Sequence, residues 1–153
     1  MNEEVVVEIK ERINFFLKAF GIAGEVVVKK SDGVLVANIV TGRPEILIGR
    51  NGQTLFAIQH LVRAMLAEGI EEEHLTVDVE GYRERHNERV KMNAREAALK
   101  VLANGKPYHL PPMTSYERRL VHMALADFAD LEAVSEGDGL TRHIVIKPKS
   151  VSG

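Results

Sequence analysis

The four residues Gly49-Arg50-Asn51-Gly52 have a composition that suits contact with a phosphate backbone. Two glycines let another chain approach without obstruction by Cβ atoms, and a helix that begins just after them offers N–H groups and the positive end of its dipole. Arg50, Asn51 and Gln53 add polar side chains. The G-x-x-G spacing alone is weak, because Gly21-Ile22-Ala23-Gly24 also matches it, and a plain turn between two helices is the alternative interpretation.

A second candidate is the pair Arg118 and His122, which stand four residues apart and therefore on one face of a helix. We expect both side chains to point outward within one basic patch that captures phosphate groups. The patch would be completed by basic residues of the same helix and of the C-terminal stretch: Arg119, Arg142, Lys147 and Lys149. The alternative is a helix whose polar face is merely solvated.

Catalytic chemistry is poorly supported by the sequence. There is no cysteine, and the six histidines show no metal-ligand spacing, so we expect no metal and no cofactor. A catalytic triad could be composed from Ser115, His122 and Asp127. Ser115, however, falls in the first turn of a capped helix, and no nucleophile elbow surrounds it. The sequence therefore predicts that the protein is not an enzyme.

The net charge of -2 argues mildly against nucleic-acid binding, but the two halves of the chain differ. Residues 1–80 carry a net charge of -5, whereas residues 81–153 carry +3. The excess in the second half comes from one stretch that we interpret as a basic helix. Its basic residues are Arg83, Arg85, Arg89, Lys91, Arg95 and Lys100.

No run of about 18 apolar residues is available to span a bilayer. The chain opens with Glu3, Glu4 and Glu8 instead of a basic and then an apolar region, so we expect no signal peptide and no membrane association. A cytoplasmic location is the expectation.

Apolar periodicity and turn residues predict the elements of the first half. They are a helix over 4–20, strands over Glu25–Lys30 and Val34–Thr41 joined by Ser31-Asp32-Gly33, a short helical turn from Pro44, a helix from Leu55 that Gly69 ends, an acidic loop at Glu71–Glu73, and a strand over Leu75–Val79.

The second half is predicted to open with a long helix between Gly81 and Asn104-Gly105. A proline-bearing connector over 106–112 follows. Thr114-Ser115-Tyr116-Glu117 matches a capping box, which starts a helix that should run to about Phe128. Strands at Leu131–Val134 and His143–Lys147 close the chain. The fold class predicted is α+β, as two small modules over 1–80 and 81–153.

The order of elements over 1–80, together with Ile46-Leu47-Ile48-Gly49-Arg50-Asn51-Gly52-Gln53-Thr54-Leu55, resembles the type II KH domain. The resemblance implies an α-β-β-α-α-β fold whose G-x-x-G loop clamps about four unpaired nucleotides while their bases lie in an apolar groove. Ile46, Ile48, Leu55 and Ile58 would floor that groove or simply belong to the core. Phe56 would stack on a base or pack inward, and we favour packing.

The segment Tyr116-Glu117-Arg118-Arg119-Leu120-Val121-His122, followed by strands that end in Lys147 and Lys149, resembles the R-three-H domain, which is associated with single-stranded nucleic acid. With Gly81-Tyr82-Arg83-Glu84-Arg85 between the two modules, nearly the whole chain resembles the bacterial Jag family of RNA-binding proteins. Two departures are expected to matter. We identify no separate N-terminal Jag domain, and His86 stands where the family has an arginine.

These observations predict a protein that binds single-stranded RNA, with single-stranded DNA left open, through the G-x-x-G loop and the Arg/His patch. The competing hypothesis is a protein-interaction adaptor, in which the acidic KH-like half binds a second copy of itself or a KH-protein partner.

Overall fold

The computed structural model describes residues 3–66 and 74–150, and the chain divides into two compact units, Met1–Arg83 and Glu84–Gly153. Each unit holds a three-stranded sheet with helices. The predicted α+β class with two small sheets is therefore confirmed. The predicted division at residue 80 falls close to this border, and the assignment of the first unit to the KH type stays a prediction.

The first unit has the predicted order of elements. Its helices and strands are α1 (Glu3–Ala19), β1 (Gly24–Ser31), β2 (Val34–Thr41), α2 (Pro44–Ile48), α3 (Gln53–Met65) and β3 (Leu75–Val79). β2 lies at the centre of the sheet, where it pairs antiparallel with β1 and parallel with β3. The turn between β1 and β2 has positive φ at both Asp32 and Gly33, which suits the right-handed twist of a tight hairpin.

One continuous core joins the helices of the first unit to its sheet. α1 contributes Ile9, Ile13 and Leu17 at a helical spacing, and α3 contributes Leu55, Ile58 and Val62 in the same way. The strands supply alternating residues that face these helices: Val26, Val28, Ala37, Ile39, Leu75, Val77 and Val79. The G-x-x-G loop is therefore anchored on both sides by buried residues, Leu47 before it and Leu55 after it.

Some local predictions for the first unit need correction. The helix predicted over 4–20 ends at Ala19, so Phe20 lies beyond it and is exposed, and Leu17 is the last buried residue of α1. The helix stop at Gly69 and the acidic loop at Glu71–Glu73 lie outside the described residues.

The second unit is built on a different sheet. Its elements are α4 (Tyr82–Asn104), which begins in the last residues of the first unit, then β4 (Tyr108–His109), α5 (Ser115–Ala124), β5 (Leu131–Glu136) and β6 (His143–Pro148). β6 is the central strand and pairs antiparallel with both β4 and β5. The core joins four residues of α4 to Val121 of α5, to Leu125 just after that helix, and to Ile144 and Ile146 of β6. The residues of α4 are Ala94, Ala97, Ala98 and Val101.

The start of α5 has the predicted capping box. The Thr114 side chain accepts a hydrogen bond from the Glu117 N–H at 3.2 Å, and the Glu117 carboxylate accepts one from the Thr114 N–H at 2.7 Å. The predicted end near Phe128 is wrong, because α5 ends at Ala124 and the chain then turns, with the Phe128 N–H donating to the Leu125 carbonyl. β4 was also missed, since the stretch 106–112 was predicted to be a connector.

Candidate nucleic-acid interface

The G-x-x-G loop connects α2 to α3 through a tight turn with unusual backbone geometry. Gly49, Asn51 and Gly52 all have positive φ, at 70°, 54° and 78°. The combination of φ 70° with ψ -174° at Gly49 belongs to a region that only glycine enters without strain. Asn51 lies in the left-handed helical region, which asparagine tolerates better than most residues. The loop is therefore a defined turn that depends on its glycines.

The space around the two glycines excludes side chains as well. A Cβ atom on Gly49 would lie 2.7 Å from Cβ of Thr54, and one on Gly52 would lie 2.9 Å from a ring carbon of Tyr82. Both distances are shorter than ordinary non-bonded contacts. Gly49 thus lets the loop pack closely against Thr54 at the start of α3, and Gly52 lets it pack closely against Tyr82.

The polar residues of the loop face solvent. Arg50, Asn51 and Gln53 are exposed, and no side chain caps the start of α3. The Gly52 and Gln53 N–H groups donate to the Gly49 and Arg50 carbonyls, but no side chain competes with an anion for the first turn of α3 or for the positive end of its dipole. The loop residues predicted to contact nucleic acid are thus brought together at the surface of the first unit.

The apolar residues around the loop divide into buried and exposed ones. Leu55 and Ile58 belong to the core, and Ile48 packs against it. Ile46 is 38% exposed and Phe56 is 68% exposed. The favoured prediction that Phe56 packs inward is wrong, because it lies on the outer face of α3, where an aromatic ring is open to stacking.

Arg118 occupies a less open position than predicted. Its side chain is half-buried, and its Nη1 donates to the Met113 carbonyl at 2.8 Å, which ties the helix to the connector before it. His122, on the same face one turn later, is exposed, as is Arg119. Part of the Arg118 guanidinium is therefore engaged in structure.

The remaining basic residues lie along the last strand. Ile144 and Ile146 face the core that includes α5, so the alternation of the strand places Lys147 on the opposite face of the sheet. Lys147 lies 3.4 Å from the Glu132 carboxylate, and Arg142 donates to the Gly137 carbonyl at 2.8 Å. Lys149 is exposed just past the strand. The structure thus does not join Lys147 to Arg118 and His122 in one patch.

The basic stretch of α4 is also divided between roles. Arg83 donates to the Val77 carbonyl at 2.9 Å and to Oε1 of Gln59 at 2.7 Å, and so it closes the end of the first unit. Lys91 pairs with Glu88 at 3.0 Å. Arg85, Arg89 and Lys100 are exposed. The sequence prediction of a basic helix holds for the exposed residues but not for Arg83.

Two arrangements in the second unit were missed by sequence reasoning. Nε2 of His86 lies 2.5 Å from the Glu117 carboxylate, so the residue interpreted from the sequence as a departure from the family has an acidic partner. Burial alone would raise the pKa of the Glu117 carboxyl, but hydrogen bonds from His86 and Thr114 outweigh it and lower that pKa below its ordinary value.

The other missed arrangement brings together His109, Glu136 and His143, one from each strand of the second sheet. They are separated by 27 and 7 positions in the chain, so no spacing rule for metal ligands detects them. Only the pairing of β4 and β5 with β6 brings these three side chains together, and the sequence did not predict that pairing.

Comparison with known proteins agrees with this architecture. A model of the R-three-H domain matches residues 88–148, within the second unit. A protein named RNA-binding protein KhpB from Lactiplantibacillus plantarum is 32% identical over 146 residues, which is 95% of this chain and 45% of that protein. A protein of the same name from Bacillus subtilis is 35% identical over 136 residues, covering 86% of this chain and 65% of that protein. The chain is similar to these proteins of the Jag family over most of its own length.

This similarity is carried by the R-three-H match in the second unit and by the identity along the chain. The chain spans about half the length of the Lactiplantibacillus plantarum relative and 65% of the Bacillus subtilis relative. The R-three-H match does not extend into the first unit. Of the helices that the structure describes, none is both long and apolar enough to cross a membrane, and the cytoplasmic location stays a prediction.

Proposed function

We propose that this chain binds single-stranded RNA and that its G-x-x-G loop holds the RNA backbone. The observation that carries the proposal is the loop itself, a glycine-dependent turn that exposes Arg50 and Asn51 beside an uncapped helix start. A phosphate there would meet backbone N–H groups without interference from Cβ atoms and would be attracted by the Arg50 guanidinium. The name of the relatives, RNA-binding protein, supports RNA as the ligand.

The bases would lie on the apolar side chains next to the loop. Phe56 presents an open ring one turn into α3, and Ile46 is partly exposed on α2. Stacking of a base on an aromatic ring contributes about 1–3 kcal/mol and is tolerant of sequence. The first unit would therefore hold a short single strand with little sequence selectivity.

The second unit would add phosphate contacts. Arg119 and His122 are exposed on α5, with part of Arg118 beside them, and they form one contact surface. Lys147 and Lys149 would make separate contacts at the end of β6, where Lys147 lies on the other face of the sheet, and Arg142 would contribute before the first residue of that strand. These contacts carry charge and no base selectivity.

The proposal is tested by fluorescence anisotropy with a labelled mixed-sequence RNA. The double variant R50D/N51D changes the charge of the loop by three units and leaves its backbone free to adopt the same turn. The matched control is K30D/S31D, which makes the same change of charge at exposed residues elsewhere in the first unit. We expect a loss of affinity in the loop variant that is at least about tenfold larger than in the control, since two carboxylates would face the phosphates directly.

Equal losses in the two variants would show that only net charge matters and would remove the loop from the proposal. Repeating the titration with single-stranded DNA of the same sequence tests the ligand, and tighter binding of DNA would contradict the assignment to RNA. Circular dichroism of each variant establishes that the fold is retained.

The adaptor hypothesis is favoured by a different part of the first unit. Phe15 is 60% exposed on α1 and lies in a groove with Leu17, Ile22 and Gly24, next to β1 at the edge of the sheet. An edge strand offers unpaired backbone groups to a second copy of the chain. Sedimentation velocity of the parent and of Phe15→Ser tests this, since a dimer through this surface would dissociate in the variant, whereas RNA binding by the loop would not require it.

A further inference from the structure

The outer face of the second sheet, opposite its core, carries a cluster of three potential metal ligands. His109, Glu136 and His143 each offer one ligand atom, and these atoms all lie within 4.8 Å of one another. Nδ1 of His109 and Nε2 of His143 are 3.0 Å apart. Each residue comes from a different strand, so the sheet itself holds the three ligands in register.

The strand pairing explains why the three side chains meet. Glu136 on β5 is the direct cross-strand partner of His143 on β6, and His109 on β4 pairs with Val145, two residues further along the same face of β6. Ile144 and Ile146, which alternate with them, face the core. The cluster is therefore fixed by backbone pairing and not by the conformation of a loop.

The tautomer of His143 is set by its second ring nitrogen. Nδ1 of His143 lies 2.9 Å from the Thr141 carbonyl, which can only accept, so Nδ1 carries the proton and Nε2 presents a lone pair toward His109. An N–H donated to a backbone carbonyl is the usual outer contact of a metal-binding histidine. Thr141 is braced in turn, because its hydroxyl donates to the Asp138 carbonyl at 2.8 Å.

We propose that His109, His143 and Glu136 bind a divalent transition-metal ion of the Zn²⁺ class. Two imidazole nitrogens and one carboxylate oxygen are ligands that zinc prefers, with a fourth position left for water. Tetrahedral coordination at zinc–nitrogen distances of about 2.0–2.1 Å needs nitrogens roughly 3.3 Å apart. The observed 3.0 Å contact is a hydrogen bond that the His109 Nδ1–H donates to Nε2 of His143, so an ion would displace that proton and widen the separation by about 0.3 Å.

The charge of the cluster favours a cation over a phosphate. Glu136 places a carboxylate beside the two rings, and it would repel an anion at this spot. Arg142 directly precedes His143 in the sequence, and its Nη1 donates a hydrogen bond to the Gly137 carbonyl. His109 and Glu136 are exposed, so an ion can reach the ligands from solvent. The proposal stands apart from RNA binding and replaces the sequence expectation of no metal.

Isothermal titration of the untagged, metal-free chain with Zn²⁺, in the absence of RNA, tests the site. We expect one ion per chain in the parent, and binding at least about tenfold weaker in His109→Ala and in Glu136→Gln, each of which removes one ligand. The control is His60→Ala, which removes an exposed histidine from the first unit and should bind as the parent does. Glu136→Gln keeps the shape of an exposed side chain, so it preserves a folded variant for the comparison.

Absence of Zn²⁺ uptake by the parent at about millimolar concentration would overturn the proposal. Binding by both ligand variants with the affinity of the parent would overturn it too, because the ion would then be held elsewhere. A Co²⁺ titration provides the second measurement, since coordination by the cluster should produce visible absorption bands that are lost in both ligand variants and kept in His60→Ala.

Discussion

Replacing Thr114 by alanine should destabilise the second unit by about 1 kcal/mol, within the range of about 0.5–2 kcal/mol found for lost helix caps. The Thr114 hydroxyl accepts from the Glu117 N–H at 3.2 Å and donates to the Glu117 carboxylate at 2.9 Å. Alanine removes both hydrogen bonds. The hydrogen bond from the Thr114 N–H to the same carboxylate, at 2.7 Å, does not involve the side chain and should survive. The loss should therefore lie near the middle of the range.

Urea denaturation followed by circular dichroism measures this change, with Thr114→Ser as the matched control, because serine keeps the hydroxyl and the cap. We expect the midpoint to fall in the alanine variant and the slope of free energy against urea to stay the same, since the surface exposed on unfolding does not change. For a domain of this size the midpoint of thermal unfolding should fall by about 4–8 °C per kcal/mol. An alanine variant as stable as the parent, or a serine variant as unstable as alanine, would refute the role assigned to the hydroxyl.

Three further predictions concern single residues. The stability of the second unit should decrease as the pH falls through the pKa of folded Glu117, because that pKa is depressed and the stabilisation exists only while the carboxyl is ionised. Urea melts over the same pH range should show a smaller decrease for Glu117→Gln. Gly49→Ala should destabilise the first unit by about 1–3 kcal/mol, because φ is positive and the new Cβ would press against Thr54, and a thermal melt unchanged from the parent would contradict this loop geometry. Arg118→Ala should lower the magnitude of the slope of log affinity against log salt for RNA by roughly 0.7, because one phosphate contact is lost. Arg118→Lys keeps the charge and should keep the slope. Equal slopes for the alanine variant and the parent would remove Arg118 from the interface.

Elements specified by local chemistry were predicted well from the sequence. The hairpin turn at Ser31-Asp32-Gly33 and the capping box at Thr114 both lie where expected, because their residue types satisfy the backbone within four positions of the chain. The end of α5 was not predicted, since Leu125 continues the apolar pattern of the helix into the core while the backbone has already turned. Periodicity reports which face is buried and not where the helix stops.

Arrangements that depend on pairing between distant segments were beyond the sequence. β4 has only two residues, Tyr108 and His109, and it exists because they pair with residues of β6 that lie 38 and 36 positions later in the chain. The same pairing brings His109 to His143. Composition did not predict this contact, because each histidine taken alone is an ordinary polar residue.

The two G-x-x-G matches show what separates a candidate site from a chance occurrence. In the first match, Gly21 ends α1, the Ile22 N–H donates to the Leu17 carbonyl at 2.8 Å, and Gly24 already pairs within the sheet. These contacts engage its backbone in a helix end and a strand. In the second match the chain passes from Gly52 directly into the start of α3, where no side chain caps the N–H groups. The spacing of the glycines is equal in both, so what distinguishes the second match is the uncapped start of α3 that follows it, and the sequence predicted that helix.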